Sequence, residues 1–292
     1  MLKLGFIGLG RMGRGMARRI LGAGYDLVVF DTLPEKSTDF GTAGARVASS
    51  IADACKGRDG VITMLVEDTV LNDVALGGGG LRDSLPPGAI HLVMGTHGVA
   101  TIRALAAAHG KSKQILVAAP VLGRPDLAAS GQLGIVAAGP ADAVRRCEPL
   151  FQILGRHTFH AGAQPEAANA IKLANNLVLG CAIQAMSEAF SLVRKYGVPP
   201  QVFYDVMTEG LFAAPAYKVY GKIIVDETYD TAGSTVTLNL KDADLILAAG
   251  DDAGVALPGG KVFRDRLLEA IAYGDGEKDV AVLARERKHG SR

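Results

Sequence analysis

Three closely spaced glycines near the amino terminus are the clearest chemical signal in the sequence. They follow the pattern G-x-G-x-x-G, after an apolar run at 4–7 that predicts a strand and at the start of a predicted helix at 12–21. In such a turn the first glycine permits a tight bend, the second lets the backbone approach a pyrophosphate, and the third allows close helix packing. The pattern predicts a dinucleotide-binding turn, with contacts from Gly8, Gly10, Arg11, Met12 and Gly13.

An acidic residue follows this turn at the distance expected for ribose recognition. Asp31 ends a predicted strand at 27–30, where its carboxylate can accept hydrogen bonds from the adenosine ribose. A phosphate on the 2′ oxygen would bring like charges within about 4 Å, which costs roughly 4 kcal/mol at an effective dielectric near 20. Positions 32–35 are Thr-Leu-Pro-Glu, so no arginine follows as a phosphate clamp. Asp31 therefore predicts NAD in preference to NADP.

A lysine and an asparagine form the second chemical signal. Lys172 and Asn176 are four residues apart in a predicted long helix, so their side chains share one face. Hydride transfer to a carbonyl leaves negative charge on oxygen, and an ammonium group can stabilise that charge and deliver the proton. We predict Lys172 as the general acid/base, and Asn176 as the residue that orients Lys172 or hydrogen-bonds the substrate hydroxyl.

The first half of the chain alternates short apolar runs with helical patterns, which is typical of βαβ units. Strands without polar interruption indicate a parallel sheet that is covered on both faces. The predicted strands are LGFIGL, DLVVF, GVITML, AIHLVM and QILVAA. Two later runs, at 134–138 and 155–159, flank a helix predicted after Pro140.

After residue 160 the pattern becomes helical. A long helix from Pro165 to about Tyr196 is rich in alanine and glycine, which would allow close packing against another helix or a second subunit. Further helices are predicted at 200–209, 213–222, 236–252 and 258–273. We therefore predict an α/β fold with a Rossmann-like doubly wound domain at 1–162 and an all-α domain at 163–292, joined by the long helix. The small residues of that helix predict a homodimer or homotetramer.

Composition excludes several classes of protein. Of 292 residues, 49% are apolar and 21% are charged, which disfavours disorder and a fibrous architecture. The net charge of +1 offers no field to attract nucleic acid or anionic lipid. Neither an export signal nor a run of 18 apolar residues is present, so no membrane partner is expected. Cys55, Cys147 and Cys181 are too scattered for disulfides or a metal site and predict buried thiols in the cytoplasm.

The opening segment GFIGLGRMGRGMARRILGAGYDLVVFD resembles the β-hydroxyacid dehydrogenases, a family that includes 3-hydroxyisobutyrate dehydrogenase and the glyoxylate or succinic semialdehyde reductases. The likeness covers essentially the whole chain. It implies a Rossmann-like domain, a long interdomain helix and an all-helical second domain. It also implies a nicotinamide cofactor and a small hydroxyacid or aldehyde substrate.

Later segments resemble the cofactor motifs of that family. Leu65 and Val66, and then Thr96, match loops at strand ends that contact the nicotinamide ribose and ring. Lys241 matches the lysine of the K-D-x-x-L helix, which in the family closes over the cofactor. His97 directly follows Thr96. Its side chain either donates a hydrogen bond near the nicotinamide, caps a helix or points to solvent.

Other segments resemble the substrate motifs. Lys172 and Asn176 match the catalytic K-x-x-x-N segment, and Leu122, Gly123 and Arg124 fall within the motif D-A-P-V-S-G-G. Leu122 and Arg124 replace the usual Ser and Gly, which removes a donor to the substrate carboxylate; one such hydrogen bond is worth about 1.5–3 kcal/mol. Either Arg124 compensates with a bidentate grip on the carboxylate, or it points to solvent while Leu122 makes the pocket more apolar.

Three functions compete at this point. The leading hypothesis is an oxidoreductase that transfers a hydride between a nicotinamide cofactor and a small β-hydroxyacid or its semialdehyde. An imine reductase has a similar architecture, but that group usually lacks the lysine that Lys172 provides. A non-catalytic dinucleotide-binding module is the third reading, which the presence of both Lys172 and Asn176 disfavours.

Overall fold

A computed structural model describes residues 2–285 of the chain. The chain folds into two compact units, the first ending at Lys172 and the second beginning at Leu173. This boundary lies inside one continuous helix, Glu166–Lys195, and follows the sequence-predicted boundary at 162/163. The difference has a packing cause, because Ala168 in the first turn of that helix is buried in the core of the first unit.

The first unit is built on a six-stranded parallel sheet. The strand order is β3-β2-β1-β4-β5-β6, and all five pairings are parallel, as the uninterrupted apolar runs predict. Leu4 of the central strand pairs with Leu27 on one side and Gly60 on the other. The strands are β1 (Leu4–Ile7), β2 (Leu27–Phe30), β3 (Arg46–Val47), β4 (Gly60–Thr63), β5 (Ile90–Val93) and β6 (Ile115–Ala118).

A second, three-stranded sheet follows, in the order β7-β8-β9 with β7 antiparallel to β8. Its strands are β7 (Val121–Leu122), β8 (Leu133–Ala137) and β9 (Gly155–His160). The helices of the first unit are α1 (Arg11–Gly22), α2 (Thr38–Thr42), α3 (Ile51–Cys55), α4 (Asp68–Leu76), α5 (Leu81–Ser84), α6 (Val99–Lys111), α7 (Pro125–Ser130) and α8 (Ala141–Leu154). Strands β3 and β7 escaped sequence prediction because each has only two residues.

The second unit is all-helical. Its helices are α9 (Glu166–Lys195), which begins in the first unit, α10 (Pro200–Glu209), α11 (Pro215–Asp226), α12 (Val236–Ala253) and α13 (Pro258–Ala272). Ile183 and Phe190 of α9 lie in its core with Phe263 of α13. A Cβ on Gly180 would lie 2.5 Å from the Phe263 ring, so the small residue is what lets α13 approach α9.

Helix α9 is long and apolar. Among residues 2–285 it alone has the length and composition to cross a membrane. Core helices pass the same test, and α9 buries Ala168 in one core and Ile183 in another. Only 33% of its apolar 18-residue window is buried, so the apolar composition includes exposed side chains such as Val178 as well as core positions.

The thiols are not all buried as predicted. Burial raises the pKa of Cys55 and of Cys147 to about 12. The prediction is wrong for Cys181 on α9, which is only half-buried. A Cβ on Gly259, in the first turn of α13, would lie 3.0 Å from the Cys181 Sγ.

Candidate functional site

The segments of the first unit that carry the predicted cofactor and substrate residues all follow the carboxyl ends of the strands in the main sheet. Parallel strands have their carboxyl ends on the same side, and the strand order reverses between β1 and β4. Open α/β sheets bind ligands outside the strand ends at such a switch point. The segments are 8–13 after β1, Asp31 after β2, 64–66 after β4, 94–97 after β5 and 119–124 after β6.

The glycine turn is closed to side chains at two positions and open at the third. Gly8 has φ +97°, and a Cβ there would lie 2.4 Å from the Met64 carbonyl oxygen. A Cβ on Gly13 would lie 1.9 Å from the Gly8 carbonyl oxygen. At Gly10, which precedes α1, a Cβ would meet no atom of the described residues within 4 Å. The backbone at Gly10 therefore fits a pyrophosphate, with the N–H groups of α1 behind it.

Asp31 contacts this turn directly. Its Oδ2 accepts a hydrogen bond from the Leu9 N–H at 2.7 Å, and its Oδ1 accepts one from the Leu33 N–H at 3.0 Å. Lys36 Nζ lies 3.9 Å from Oδ1, and the Asp31 side chain is 9% exposed. A carboxylate has about four lone-pair sites, so two remain for ribose hydroxyls. Asp31 braces the glycine turn, a contact that spacing alone did not predict.

His97 and Asp68 join the loops after β5 and β4. His97 Nδ1 donates to Asp68 Oδ1 at 2.8 Å, since a carboxylate can only accept. Asp68, the first residue of α4, also accepts from Thr101 Oγ1 at 2.6 Å and from the Gly98 N–H at 3.1 Å. Burial favours a higher pKa for Asp68, but these hydrogen bonds outweigh burial and lower its pKa. Asp68 is thus an anchored carboxylate at the edge of the site.

Gly95 and Asn169 complete this cluster. A Cβ on Gly95 would lie 2.4 Å from the Leu65 carbonyl oxygen and 2.5 Å from His97 Nε2, so the two loops meet at Gly95. Asn169, in the first turn of α9, donates from Nδ2 to the His97 carbonyl at 3.0 Å. His97 and Asn169 are both fully buried. The buried ring excludes the solvent role considered for His97.

The other predicted cofactor residues of the first unit lie around these loops. Leu65 and Thr96 are half-buried, and Val66 is exposed. In the glycine turn, Arg11 is exposed and Met12 is half-buried.

The predicted substrate segment lies after β6. Gly123 has φ +144°, and a Cβ there would meet Leu133 at 2.9 Å, so this position needs glycine. Leu122 is half-buried and packs against the apolar cluster that contains Ala168. Arg124 is half-buried and precedes α7 without capping it. Leu122 therefore supplies apolar packing where the family usually has a hydroxyl.

Lys172 and Asn176 follow on α9. Lys172 is half-buried and lies three residues after Asn169, and Asn176 lies one turn further on. In the helical unit, Asn176 Nδ2 donates to Asp242 Oδ2 at 2.7 Å, and Lys241 Nζ lies 2.6 Å from Asp242 Oδ1. The side chains of Lys241 and Asp242 are 14% and 15% exposed. Asn176 and Lys241, predicted from separate segments, thus meet at one carboxylate.

Sequence reasoning left Asp242 and Asp68 out of the site. Asp242 was visible only as an ion-pair partner for Lys241, and nothing in the sequence links it to Asn176, 66 residues earlier. Asp68 offered a weak signal, since it is an acidic residue at a predicted helix start soon after a strand end.

Two further buried histidines, His91 on β5 and His109 on α6, form a hydrogen-bonded network. Gln114 donates its amide hydrogens to two backbone carbonyls, so its Oε1 accepts from His109 Nδ1 at 2.7 Å. His109 Nε2 then accepts from His91 Nδ1 at 2.9 Å, and His91 Nε2 accepts from the Thr63 hydroxyl at 2.9 Å. The chain of bonds runs in one direction with both rings neutral, because burial lowers the pKa of His91 and of His109. Within residues 2–285, no group of three or more His, Cys, Asp or Glu side chains could hold a metal ion.

The doubly wound sheet, the open turn at Gly10 and the carboxylate that braces it define an NAD(P)-binding enzyme of the dehydrogenase class. Comparison with known proteins agrees. Residues 3–162 match the family described as the NAD binding domain of 6-phosphogluconate dehydrogenase. Residues 167–286 match the family described as NAD-binding of NADP-dependent 3-hydroxyisobutyrate dehydrogenase.

Individual relatives span the whole chain. An uncharacterized oxidoreductase, YfjR, of Bacillus subtilis is 38% identical over 282 residues, which cover 97% of this chain and 98% of the relative. The NAD-dependent L-serine dehydrogenase of Pseudomonas aeruginosa is 30% identical, with 97% of each chain covered. The 3-hydroxyisobutyrate dehydrogenase of Mycobacterium tuberculosis, solved with L-serine, superimposes with a TM-score of 0.89 at 26% identity, covering 97% of this chain and 98% of the other. The chain belongs to the β-hydroxyacid dehydrogenase family, as its motifs predicted.

Proposed function

We propose that this protein transfers a hydride between NAD and a small β-hydroxyacid or the corresponding semialdehyde, with Lys172 as general acid/base. One observation carries the proposal. The Asn169 bond to the His97 carbonyl ties the start of α9 to the loop after β5, at the edge of the sheet where the glycine turn opens. Lys172 lies three residues further along the same helix.

The chemistry of Lys172 follows from its charge. When bound, the nicotinamide ring supplies or accepts the hydride. Lys172 donates a proton to the substrate oxygen as negative charge develops there, and it takes the proton back when the hydroxyacid is oxidised. Asn176 uses its amide nitrogen to bind Asp242, so its amide oxygen is the atom that accepts from Lys172 or from the substrate hydroxyl.

Relatives support the substrate class. One is named an L-serine dehydrogenase, and a 3-hydroxyisobutyrate dehydrogenase has been solved with L-serine. Both names refer to small β-hydroxyacids. Leu122 and Arg124 stand in the segment that we assign to substrate binding, with Gly123 between them, so we expect this chain to favour a substrate with an apolar part beside its carboxylate.

The preference for NAD rests on Asp31. Its carboxylate is fixed by the Leu9 N–H of the glycine turn and by the Leu33 N–H of its own loop, so it cannot swing away from a 2′-phosphate. Lys36 Nζ, 3.9 Å from Asp31, offsets part of the repulsion between Asp31 and a 2′-phosphate, and NADP is the weaker alternative.

We also propose Lys241 as a cofactor contact, a homodimer or homotetramer as the assembly, and the cytoplasm as the compartment.

The test follows NADH and NADPH absorbance with glyoxylate, succinic semialdehyde, methylmalonate semialdehyde and a cyclic imine, and NAD reduction with L-serine. We expect aldehyde reduction with NADH. Lys172→Met should lower kcat roughly 10²- to 10⁴-fold while the affinity for NADH stays within about twofold. Lys195→Met removes an exposed lysine from the other end of the same helix and should leave kcat unchanged.

Each alternative has its own outcome. A Lys172→Met variant that keeps most of its kcat would exclude the acid/base role. Turnover of the imine alone would favour an imine reductase. Binding of NADH without turnover of any compound would favour a non-catalytic dinucleotide-binding module. A preference for NADPH would show that the role given to Asp31 is wrong.

A further inference from the structure

Three segments of the first unit converge on a single residue, through its ring and its backbone carbonyl. His97 belongs to the loop after β5, and its ring binds Asp68, the residue that begins α4 after the β4 loop. Its carbonyl accepts the Asn169 amide from α9 at 3.0 Å. His97 thus connects both loops that we assign to the nicotinamide with the helix that carries Lys172.

We propose that His97 is a positioning residue, which holds Thr96 and the start of α9 in register with the nicotinamide end of the cofactor. This inference rests on the proposed function. Thr96 is the neighbour of His97 in the chain, and Lys172 lies three residues after Asn169, so a shift of the His97 loop moves both. His97 and Asn169 are fully buried, so the bond between them is shielded from solvent, and the Asp68 side chain that binds the His97 ring is 23% exposed.

The cluster carries unsatisfied polar atoms. His97 Nε2 and Asn169 Oδ1 are buried with no hydrogen-bond partner among the described residues. Such atoms lower stability, and most buried polar groups in native proteins are paired. By contrast, every ring nitrogen of His91 and His109 has a partner. A cluster that serves stability alone pairs its buried polar atoms, as the network of His91 and His109 does. The His97 cluster leaves two of them without a partner among the described residues.

Two ligands separate positioning from general stability. ADP-ribose carries the adenosine, the pyrophosphate and the second ribose of the cofactor but lacks the nicotinamide ring. We expect His97→Leu, measured by isothermal titration calorimetry on the full chain, to weaken NADH binding about tenfold and to leave ADP-ribose binding unchanged. With a substrate that the wild type turns over, kcat should fall about tenfold or more, since a misplaced ring is also misaligned for transfer.

Further variants test the same link. His97→Asn keeps a donor near the position of Nδ1 and should restore most of the NADH affinity. Asn169→Ala loosens the loop from the α9 side and should produce the same selective loss, so the inference remains testable if His97→Leu fails to fold. The double variant should lose less than the sum of the two, because both act through one loop. Thr101→Val is the matched control, since it removes a 2.6 Å hydrogen bond from the same Asp68 carboxylate and leaves the His97 ring bonded to Asp68.

The outcomes are distinct. Equal loss of NADH and ADP-ribose affinity, or no loss of either, overturns the positioning role while leaving the proposed function intact. The same selective loss in Thr101→Val would move the role from His97 to Asp68. A wild type that binds neither ligand refutes the proposed function itself, and the inference with it.

Discussion

The glycine turn and the Asp242 cluster are built by opposite means. The turn excludes a side chain at Gly8 and at Gly13, where a Cβ would lie 2.4 Å and 1.9 Å from a carbonyl oxygen. The Asp242 cluster consists of charged and polar side chains, and Asp242 binds Lys241 beside it and Asn176, 66 residues earlier in the sequence. Backbone sterics between residues close in sequence specify the first region. Polar contacts between residues far apart in sequence specify the second.

A motif that describes backbone space carries its own structural reason, because every atom involved belongs to one turn. A motif that names side chains on two helices depends on how those helices pack. Substitutions should therefore act on folding or ligand binding separately in the turn, and on both together around Asp242.

The largest effect is expected at Gly13. Gly13→Ala should lower the free energy of unfolding by about 3 kcal/mol, because the added methyl overlaps backbone that cannot move aside. Gly10→Ala is the matched substitution in the same turn, where a Cβ meets nothing within 4 Å among the described residues. It should change stability by less than about 0.5 kcal/mol but weaken NADH binding tenfold or more. Urea unfolding and calorimetric titration measure the two quantities.

Equal effects at the two glycines would refute this division. If Gly10→Ala unfolds the protein, the open space at Gly10 serves folding and not a ligand. If Gly10→Ala binds NADH normally, the pyrophosphate does not approach this backbone.

A smaller loss of stability is expected in the helical unit. Asp242→Ala should lower the free energy of unfolding by about 2 kcal/mol, since it strips Lys241 and Asn176 of a shared, largely buried partner. Asp244→Ala is the control on the same helix as Asp242, because the ion pair of Asp244 with Arg264 of α13 is half-exposed and is worth about 0–1 kcal/mol. Urea denaturation at low and high salt tests the pair. Similar losses for both variants would show that Asp242 has no special structural role.

The smallest effect concerns the neutral network of His91 and His109. Burial lowers the pKa of both, while the same residues in the unfolded chain take up protons near pH 6.5. Below that pH the unfolded state binds more protons, so stability falls as the pH decreases, by up to about 1.4 kcal/mol per pH unit for each histidine. Urea denaturation at pH 7.5 and pH 5.5 should show a loss of roughly 1–2 kcal/mol.

A double variant provides the check on this assignment. His91→Leu/His109→Leu should be less stable at pH 7.5 yet lose much less on acidification. Asp68 does not contribute to this loss. Because its pKa is lowered, its contribution to stability is lost only below about pH 4. An unchanged acid sensitivity in the double variant would assign the loss to other groups.

Much of the fold was predictable from local pattern. The five main strands are mostly apolar runs, and the long helix begins and ends within a few residues of its predicted limits. Strands β3 and β7 were not, because two residues carry no periodicity. The two compact units divide at Lys172/Leu173 inside α9, because Ala168 packs into the core of the first unit.

The sequence by itself determined the glycine turn, the carboxylate after β2 and the shared helix face of Lys172 and Asn176, because each depends on residues close together in the chain. Only the tertiary structure decided that Asp31 braces Leu9, that Asp242 joins Asn176 to Lys241, and that His97 links two loops to α9. These contacts join residues that are between 22 and 72 positions apart. Their geometry depends on strand order and helix packing, which a hydrogen-bonding side chain alone does not encode.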